Sequence, residues 1–251
     1  MTVVTEVRDR VLIIRIEREN KRNAIDRETS LELDAALNHL EDEPELWAGV
    51  LTGTPNIFSA GSDLRNAPGE TVTPRGGEYG LIRRQRTKPL VAAVEGVAFG
   101  GGFEIALACD LIVASTTAQF SFPEVNRGVL AASGGLFRAV RALPLHIAKE
   151  LLLTGAVLEP VRAQQFGLIN RVTSAGGAEE EAVALAKEIC CASPISVRAT
   201  LAAVAEVVEQ DNELGWSATS RAFSIVREGP DEKEGINAFF EKRPPRWSVP
   251  R

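Results

Sequence analysis

Two regimes of hydrophobic patterning divide the chain. In the first half, short apolar runs rich in β-branched residues alternate with helical stretches. Val11–Ile16 (VLIIRI) predicts a buried strand, and Thr2–Val7 predicts a partner across Arg8-Asp9-Arg10. Asp26 is placed to cap a helix whose Leu33, Leu37 and Leu40 fall on one face. Val50–Thr52 predicts another strand, ended by Gly53 and Pro55, and Leu90–Val94 a third, running into the glycine-rich stretch Gly96–Gly102. A helix is predicted from Gly101 or Gly102 to about Cys109, and Leu111–Ala114 as a returning strand. From about residue 133 the period is helical, over 134–142, 145–154, 160–166, 178–191, 195–209, 211–227 and Lys233–Glu241, with one short strand at Ile169–Val172. The tail PPRWSVPR cannot continue the last helix. Residues 66–80, full of Gly, Pro and Thr, have no period and predict a mobile surface loop. No internal repeat or low-complexity linker occurs. The pattern predicts an α/β core followed by a helical C-terminal part.

Composition narrows the function classes. The 251 residues are 45% hydrophobic, enough for one large core with at most a small appendage. The formal net charge of −6 argues against nucleic-acid binding, which needs a basic excess. Cys109, Cys190 and Cys191 form no CxxC pair, so a disulfide scaffold is not expected. His39 and His146 are the only histidines and give a zinc site few ligands; neither is assigned a role. The N-terminus lacks the basic-then-apolar pattern of a signal peptide, and charge or glycine breaks every apolar run well short of a membrane span. The expectation is a soluble, cytoplasmic protein.

The chemistry-bearing residues cluster in two places. Gly100-Gly101-Gly102 stands where a strand turns into a helix, so backbone amides there could meet a phosphate or a developing oxyanion. A tight packing turn explains the triplet equally well, and neither a dinucleotide fingerprint nor a P-loop is present. Glu104 follows in the first helical turn, where the helix dipole favours any carboxylate. Its neighbours Phe103, Ile105, Ala106 and Leu107 are apolar, however, and burying an unpaired charge costs several kcal/mol. Glu124 follows Pro123, a common helix start. Ile57–Leu64 ends a strand in small residues and could present a second amide; a simple turn with Asp63 as a cap is the alternative. Arg83, Arg84, Arg86 and Lys88 read first as a solvated helix face.

Taken together, Asn20–Ile25, Phe58–Leu64, Val94–Asp110 and Phe122–Gly135, with the closing EGINAFFEKRPPRW, resemble the enoyl-CoA hydratase/isomerase (crotonase) superfamily in order and over nearly the whole chain. The resemblance implies an α/β fold, a crotonase-like spiral of ββα units. It also implies a core over 1–192 and a helical oligomerisation region over 193–251, assembled as a homotrimer or a dimer of trimers. The implied substrate is an acyl-coenzyme A thioester, within fatty-acid metabolism and β-oxidation, with no cofactor or metal beyond the coenzyme A of the substrate. By motif the oxyanion hole falls on the Ser62 and Gly101 amides and the catalytic carboxylates on Glu104 and Glu124. Coenzyme A contacts fall on Lys21, Arg22, Ala24, Ala60, Asp63, Leu64 and Arg65, and Phe239 and Lys242 match positions that reach coenzyme A on a neighbouring subunit. Two glutamates imply a hydratase; an isomerase or another acyl-CoA lyase is the close alternative, and a non-catalytic acyl-CoA binder has no need of both. Leu136-Phe137 stand where many hydratases carry Thr-Gln, and with loop 66–80 they bear on the acyl pocket.

Overall fold

A computed structural model describes residues 1–65 and 71–247, except the side chains of 209 and 210. The strands are β1 (Val3–Arg8), β2 (Val11–Ile16), β3 (Ala48–Thr52), β4 (Ile57–Ser59), β5 (Val72–Thr73), β6 (Gly77–Glu78), β7 (Leu90–Val94), β8 (Val97–Phe99), β9 (Leu111–Ser115), β10 (Gln119–Ser121), β11 (Val157–Leu158) and β12 (Arg171–Thr173). The helices are α1 (Arg27–Asp42), α2 (Gly101–Ala108), α3 (Gly135–Ala142), α4 (Leu145–Thr154), α5 (Pro160–Gln165), α6 (Ala178–Cys190), α7 (Pro194–Glu228) and α8 (Asp231–Glu241), with a 3-10 turn at Pro123–Arg127.

Successive strands are dealt alternately to two sheets. The larger has the order β1-β2-β3-β7-β9-β12, the smaller β11-β10-β8-β4. In the pairs β3/β4, β7/β8 and β9/β10, the first strand joins the large sheet and the second the small one. The central strands β2, β3, β7 and β9 are buried on both faces, which is why they read as continuous apolar runs. Val11, Ile13, Val50, Val91, Ala93 and Val113 meet α6, whose Ala178, Ala182 and Ala186 let the helix lie close. Leu12, Ile14, Leu51 and Val94 point into the main core with Phe58, Phe103 and Phe120. Each such side chain contributes roughly 1.5–3 kcal/mol by leaving water.

The small sheet sets up the site. Strands β4, β8 and β10 run parallel, with Ser59 opposite Ala98 and Ser121 opposite Phe99. Their C-terminal ends are therefore level, and the chain leaves all three at one edge.

Local patterning located most elements, and the differences have physical causes. The stretches 195–209 and 211–227 form one helix, α7, of 35 residues. The polar Asp211-Asn212 interrupts the apolar period but removes no backbone donor, and Pro194 sits harmlessly in the first turn. The strand expected at Ile169–Val172 lies at Arg171–Thr173, because Asn170 is held by both backbone groups of Ile112. The cationic run is neither helical nor a solvated face. Arg84 Nη2 lies 2.5 Å from Asp34 Oδ1 with its side chain fully buried, and Lys88 Nζ donates at 2.6 Å to the carbonyls of Leu40 and Glu43 at the end of α1. Arg86 pairs with Asp110. Of the expected mobile loop, 66–70 lie outside the described residues. The remainder is packed: β5 and β6 form a hairpin, Thr73 Oγ1 donates to Asp34 at 2.7 Å, and Tyr79 is only 4% exposed.

Arg84→Ala strands Asp34 without its cation. The expected loss is about 3–5 kcal/mol, read from the denaturant midpoint. Arg162→Ala, which breaks the exposed pair with Glu150, is expected to cost under about 1 kcal/mol. Equal losses in the two variants would contradict the buried-pair assignment.

Candidate active site

Past β4 the chain runs alongside the segment 22–25. Ala60 N–H donates to Arg22 O (3.0 Å), Ile25 N–H to Gly61 O (2.8 Å) and Asp63 N–H to Ile25 O (2.9 Å). Gly61 adopts φ 87°, and a Cβ on it would stand 2.6 Å from the Gly101 nitrogen. Only glycine permits this approach, which brings the end of β4 against the start of α2. Neither the Ser62 nor the Gly101 N–H has an acceptor among the described residues. Gly101 also opens α2, so its amide carries the positive end of the helix dipole. Two free amides at one rim can receive a developing oxyanion.

Both glutamates come to this rim. Glu104, in the first turn of α2, is 2% exposed, and its Oε1 accepts from Gly135 N–H at 2.9 Å, tying the start of α2 to the start of α3. Glu124, in the 3-10 turn after β10, is 9% exposed. Its Oε1 would lie 2.8 Å from a Cβ on Gly100, which has φ 55°. The carboxylate therefore lies over the residue preceding the free Gly101 amide. Oε2 of Glu124 is buried and has no hydrogen-bond partner among the described residues.

Burial drives the electrostatics of the pair. Loss of water pushes Glu104 well above the ordinary carboxylate range, and the charge of Glu124 adds to the rise. Amides at Gly135 and Ser133 and the guanidinium of Arg138 pull in the opposite direction. Burial likewise raises Glu124, against its own backbone amide and Arg127. Arg138 is itself held by the carbonyls of Ile82 (2.8 Å) and Ser133 (3.3 Å).

The resemblance did not single out Tyr79. Its hydroxyl lies 2.7 Å from Ser62 Oγ and 2.5 Å from where a Cβ on Gly101 would be. Burial and the two glutamates push the phenol upward, so it stays protonated. One signal in the sequence marked it: the only tyrosine of the chain stands among Gly76, Gly77 and Gly80. The amide of Gly135, which supports Glu104, had no such signal.

The other expected residues gather nearby but not at the carboxylates. Lys21, Arg22 and Arg65 are exposed, Ala24 is buried, and Ala60 and Leu64 are half-buried along the paired segments 22–25 and 60–63. Asp63 is engaged by Arg18 at 3.1 Å, and Arg18 also pairs with Asp26 at the α1 cap. Helix α8 packs on the 3-10 turn of its own chain. Phe239 lies under Arg127 (4.6 Å), Phe240 beside Arg65 (5.3 Å), and Phe239 and Lys242 line a cleft of about 400 Å³ with Pro123, Asn126 and Arg127. Phe137 packs edge-on against Trp216 of α7 (4.9 Å), which places it in the α3–α7 contact. Among the described residues, no three His, Cys, Asp or Glu side chains are grouped to hold a metal ion.

Comparison with known proteins identifies the family of the chain. The family described as "Enoyl-CoA hydratase/isomerase" matches residues 6–250. The chain is 41% identical to a putative enoyl-CoA hydratase of Thermus thermophilus, over 94% of this chain and 97% of that protein. It is 37% identical to mevalonyl-coenzyme A hydratase of Aspergillus fumigatus, over 94% and 91%. The crystal structure of carnitinyl-CoA hydratase from Mycobacterium avium superposes with a TM-score of 0.91 at 38% identity, covering 98% of each chain.

A buried carboxyl with a raised value favours folding in its neutral form. That advantage is complete below the unfolded value, near 4.5 for Glu104, and is lost as the pH rises through the folded value. Glu104→Gln removes the titration. The variant is expected to match the parent near pH 4.5 and to become more stable than it by about 1 kcal/mol or more toward pH 8. Melting temperatures across that range provide the check; a constant difference would contradict the burial of an ionisable Glu104.

Proposed function

The chain belongs to the enoyl-CoA hydratase/isomerase family, and from that premise we propose that it adds water reversibly across the 2,3 double bond of a 2-enoyl-CoA thioester to give a 3-hydroxyacyl-CoA. The observation that carries the two-carboxylate form of this reading is Oε2 of Glu124, buried beside a second raised carboxyl and lacking a partner among the described residues. An orphaned buried oxygen is costly, and a reacting group is a sufficient reason to keep one.

In this mechanism the Ser62 and Gly101 amides take the thioester oxygen and stabilise the enolate; one such donor is worth about 3 kcal/mol. Water attacks C3 and gives up a proton to the carboxylate pair, while C2 receives one. Glu124 supplies the proton at C2 through its free oxygen. Glu104, anchored by Gly135, helps to activate the water. Because burial raises both carboxyls and the charge of Glu124 raises Glu104 further, a single proton is shared between them, and the acid and base roles belong to the pair.

Coenzyme A is held along the segments 22–25 and 60–65 by Lys21, Arg22, Ala24, Ala60, Asp63, Leu64 and Arg65. No cofactor is needed beyond it. Exposed apolar residues on α7, among them Ile195, Val204, Val207, Leu214 and Ile225, support assembly as a trimer or a dimer of trimers. Phe239 and Lys242 then serve coenzyme A at the subunit boundary. The setting proposed is the cytoplasm, in fatty-acid metabolism.

The purified protein is expected to remove the enoyl thioester absorbance of crotonyl-CoA or a longer homologue. Glu104→Gln and Glu124→Gln should each lower kcat by about 100-fold or more, with acyl-CoA still bound. A parental rate in either variant overturns the two-carboxylate mechanism, and a Glu104 variant that keeps activity on a 3-enoyl-CoA identifies an isomerase. Light scattering should give three or six times the 27.0 kDa chain mass. A monomer would exclude the assembly.

A further inference from the structure

Tyr79 takes no part in the water chemistry above, yet its hydroxyl stands against Ser62 and Gly101, whose amides form the proposed oxyanion hole. Its backbone is held at φ 56°, a conformation that bulky aromatic residues rarely adopt and that persists where surrounding structure enforces it. The enforcement is visible. Tyr79 N–H donates to Thr71 O at 3.1 Å and Gly80 N–H to Gly77 O at 3.1 Å. Gly80 presses on α1, where a Cβ would come within 2.6 Å of the Ser30 carbonyl. The hairpin is fastened to the same helix through Thr73 and Asp34, at 2.7 Å. A rigid mount thus aims one phenol at the oxyanion rim.

A phenylalanine would fill nearly the same volume, so the hydroxyl is the informative atom. It bonds to Ser62 Oγ at 2.7 Å, and either oxygen can be the donor. The side chain of Ser133 also reaches the phenol, and three hydroxyls sharing two bonds keep one proton to give elsewhere. With the phenol oxygen against Gly101, an acyl chain whose carbonyl sits on the Ser62 and Gly101 amides passes this hydroxyl pair within its first few carbons. The charge of Glu104 and Glu124 acts on the phenol and disfavours an anion in the same place.

We infer that Tyr79, with the hydroxyl of Ser62, is a specificity-determining residue that selects 2-enoyl-CoA thioesters bearing a neutral oxygen, a hydroxyl or a carbonyl, on C4 or C5. The inference rests on the hydration reading and names its substrate class. A site that offers a donor to a substrate oxygen rejects the analogue lacking that oxygen more strongly than an apolar pocket rejects an added methylene.

Three matched probes test it: 5-hydroxy-2-pentenoyl-CoA, 2-hexenoyl-CoA with a methyl in place of the hydroxyl, and glutaconyl-CoA with a carboxylate at that end. The parent should favour the hydroxylated probe over each of the others by about tenfold or more in kcat/KM. In Tyr79→Phe the hydroxyl-to-methyl ratio should fall to about one. A parental ratio that survives the substitution overturns the inference, as does an equal loss on both probes, which would place Tyr79 in the common chemistry. A preference for glutaconyl-CoA overturns the neutral-oxygen assignment. If the parent hydrates no enoyl-CoA, the hydration reading has failed instead. Calorimetry with 5-hydroxypentanoyl-CoA and hexanoyl-CoA then reads the same preference from binding alone, and equal affinities overturn the inference.

Discussion

Everything at the candidate site depends on the level ends of three short parallel strands. The hydrogen bond from Gly100 N–H to Ser121 O, at 2.9 Å, locks the exit of β8 to that of β10, and the contact of Gly61 with Gly101 locks the exit of β4 to both. A slip of one residue in this ladder would turn every side chain beyond it to the opposite face. The strands themselves are too short to be stable alone. They borrow rigidity from the large sheet, which is sealed by α6 on one face and by the aromatic cluster of Phe103, Phe120 and Phe122 on the other.

The same arrangement accounts for how two carboxylates are tolerated out of water. Neither has a salt bridge among the described residues. Glu104 is compensated piecemeal, by the dipole of the helix it opens, by the amide of Gly135 and by the more distant Arg138. Glu124 has less, and one of its oxygens has no partner among the described residues. Stability is sacrificed in the region where the proposed chemistry needs groups that exchange protons readily.

How much of this was legible in the sequence follows from the range of each interaction. The large-sheet strands, the cap at Asp26 and the short helix carrying Glu104 are local patterns, and the structure forms them close to where they were expected. Residues 58–64 and 94–110 carry their turns in their own glycines. What stayed hidden was non-local. Arg84 and Lys88 look like surface cations until α1, more than forty positions earlier, supplies Asp34 and two carbonyls. Tyr79 lies in a stretch without period, and its role emerges only when Gly101 and Ser62 fold against it. The amide that holds Glu104 belongs to Gly135, on a helix whose approach no pattern in either segment encodes.

The alternation of strands between two sheets also bears on how the chain is made. The small sheet is completed by Val157–Leu158 and the large sheet by Arg171–Thr173. Until roughly that much of the polypeptide has emerged from the ribosome, β9 and β10 each keep an unpaired edge that can bind another nascent chain. Residues 157–173 thus act as a closure for both sheets, covering the edges that β9 and β10 would otherwise expose during synthesis.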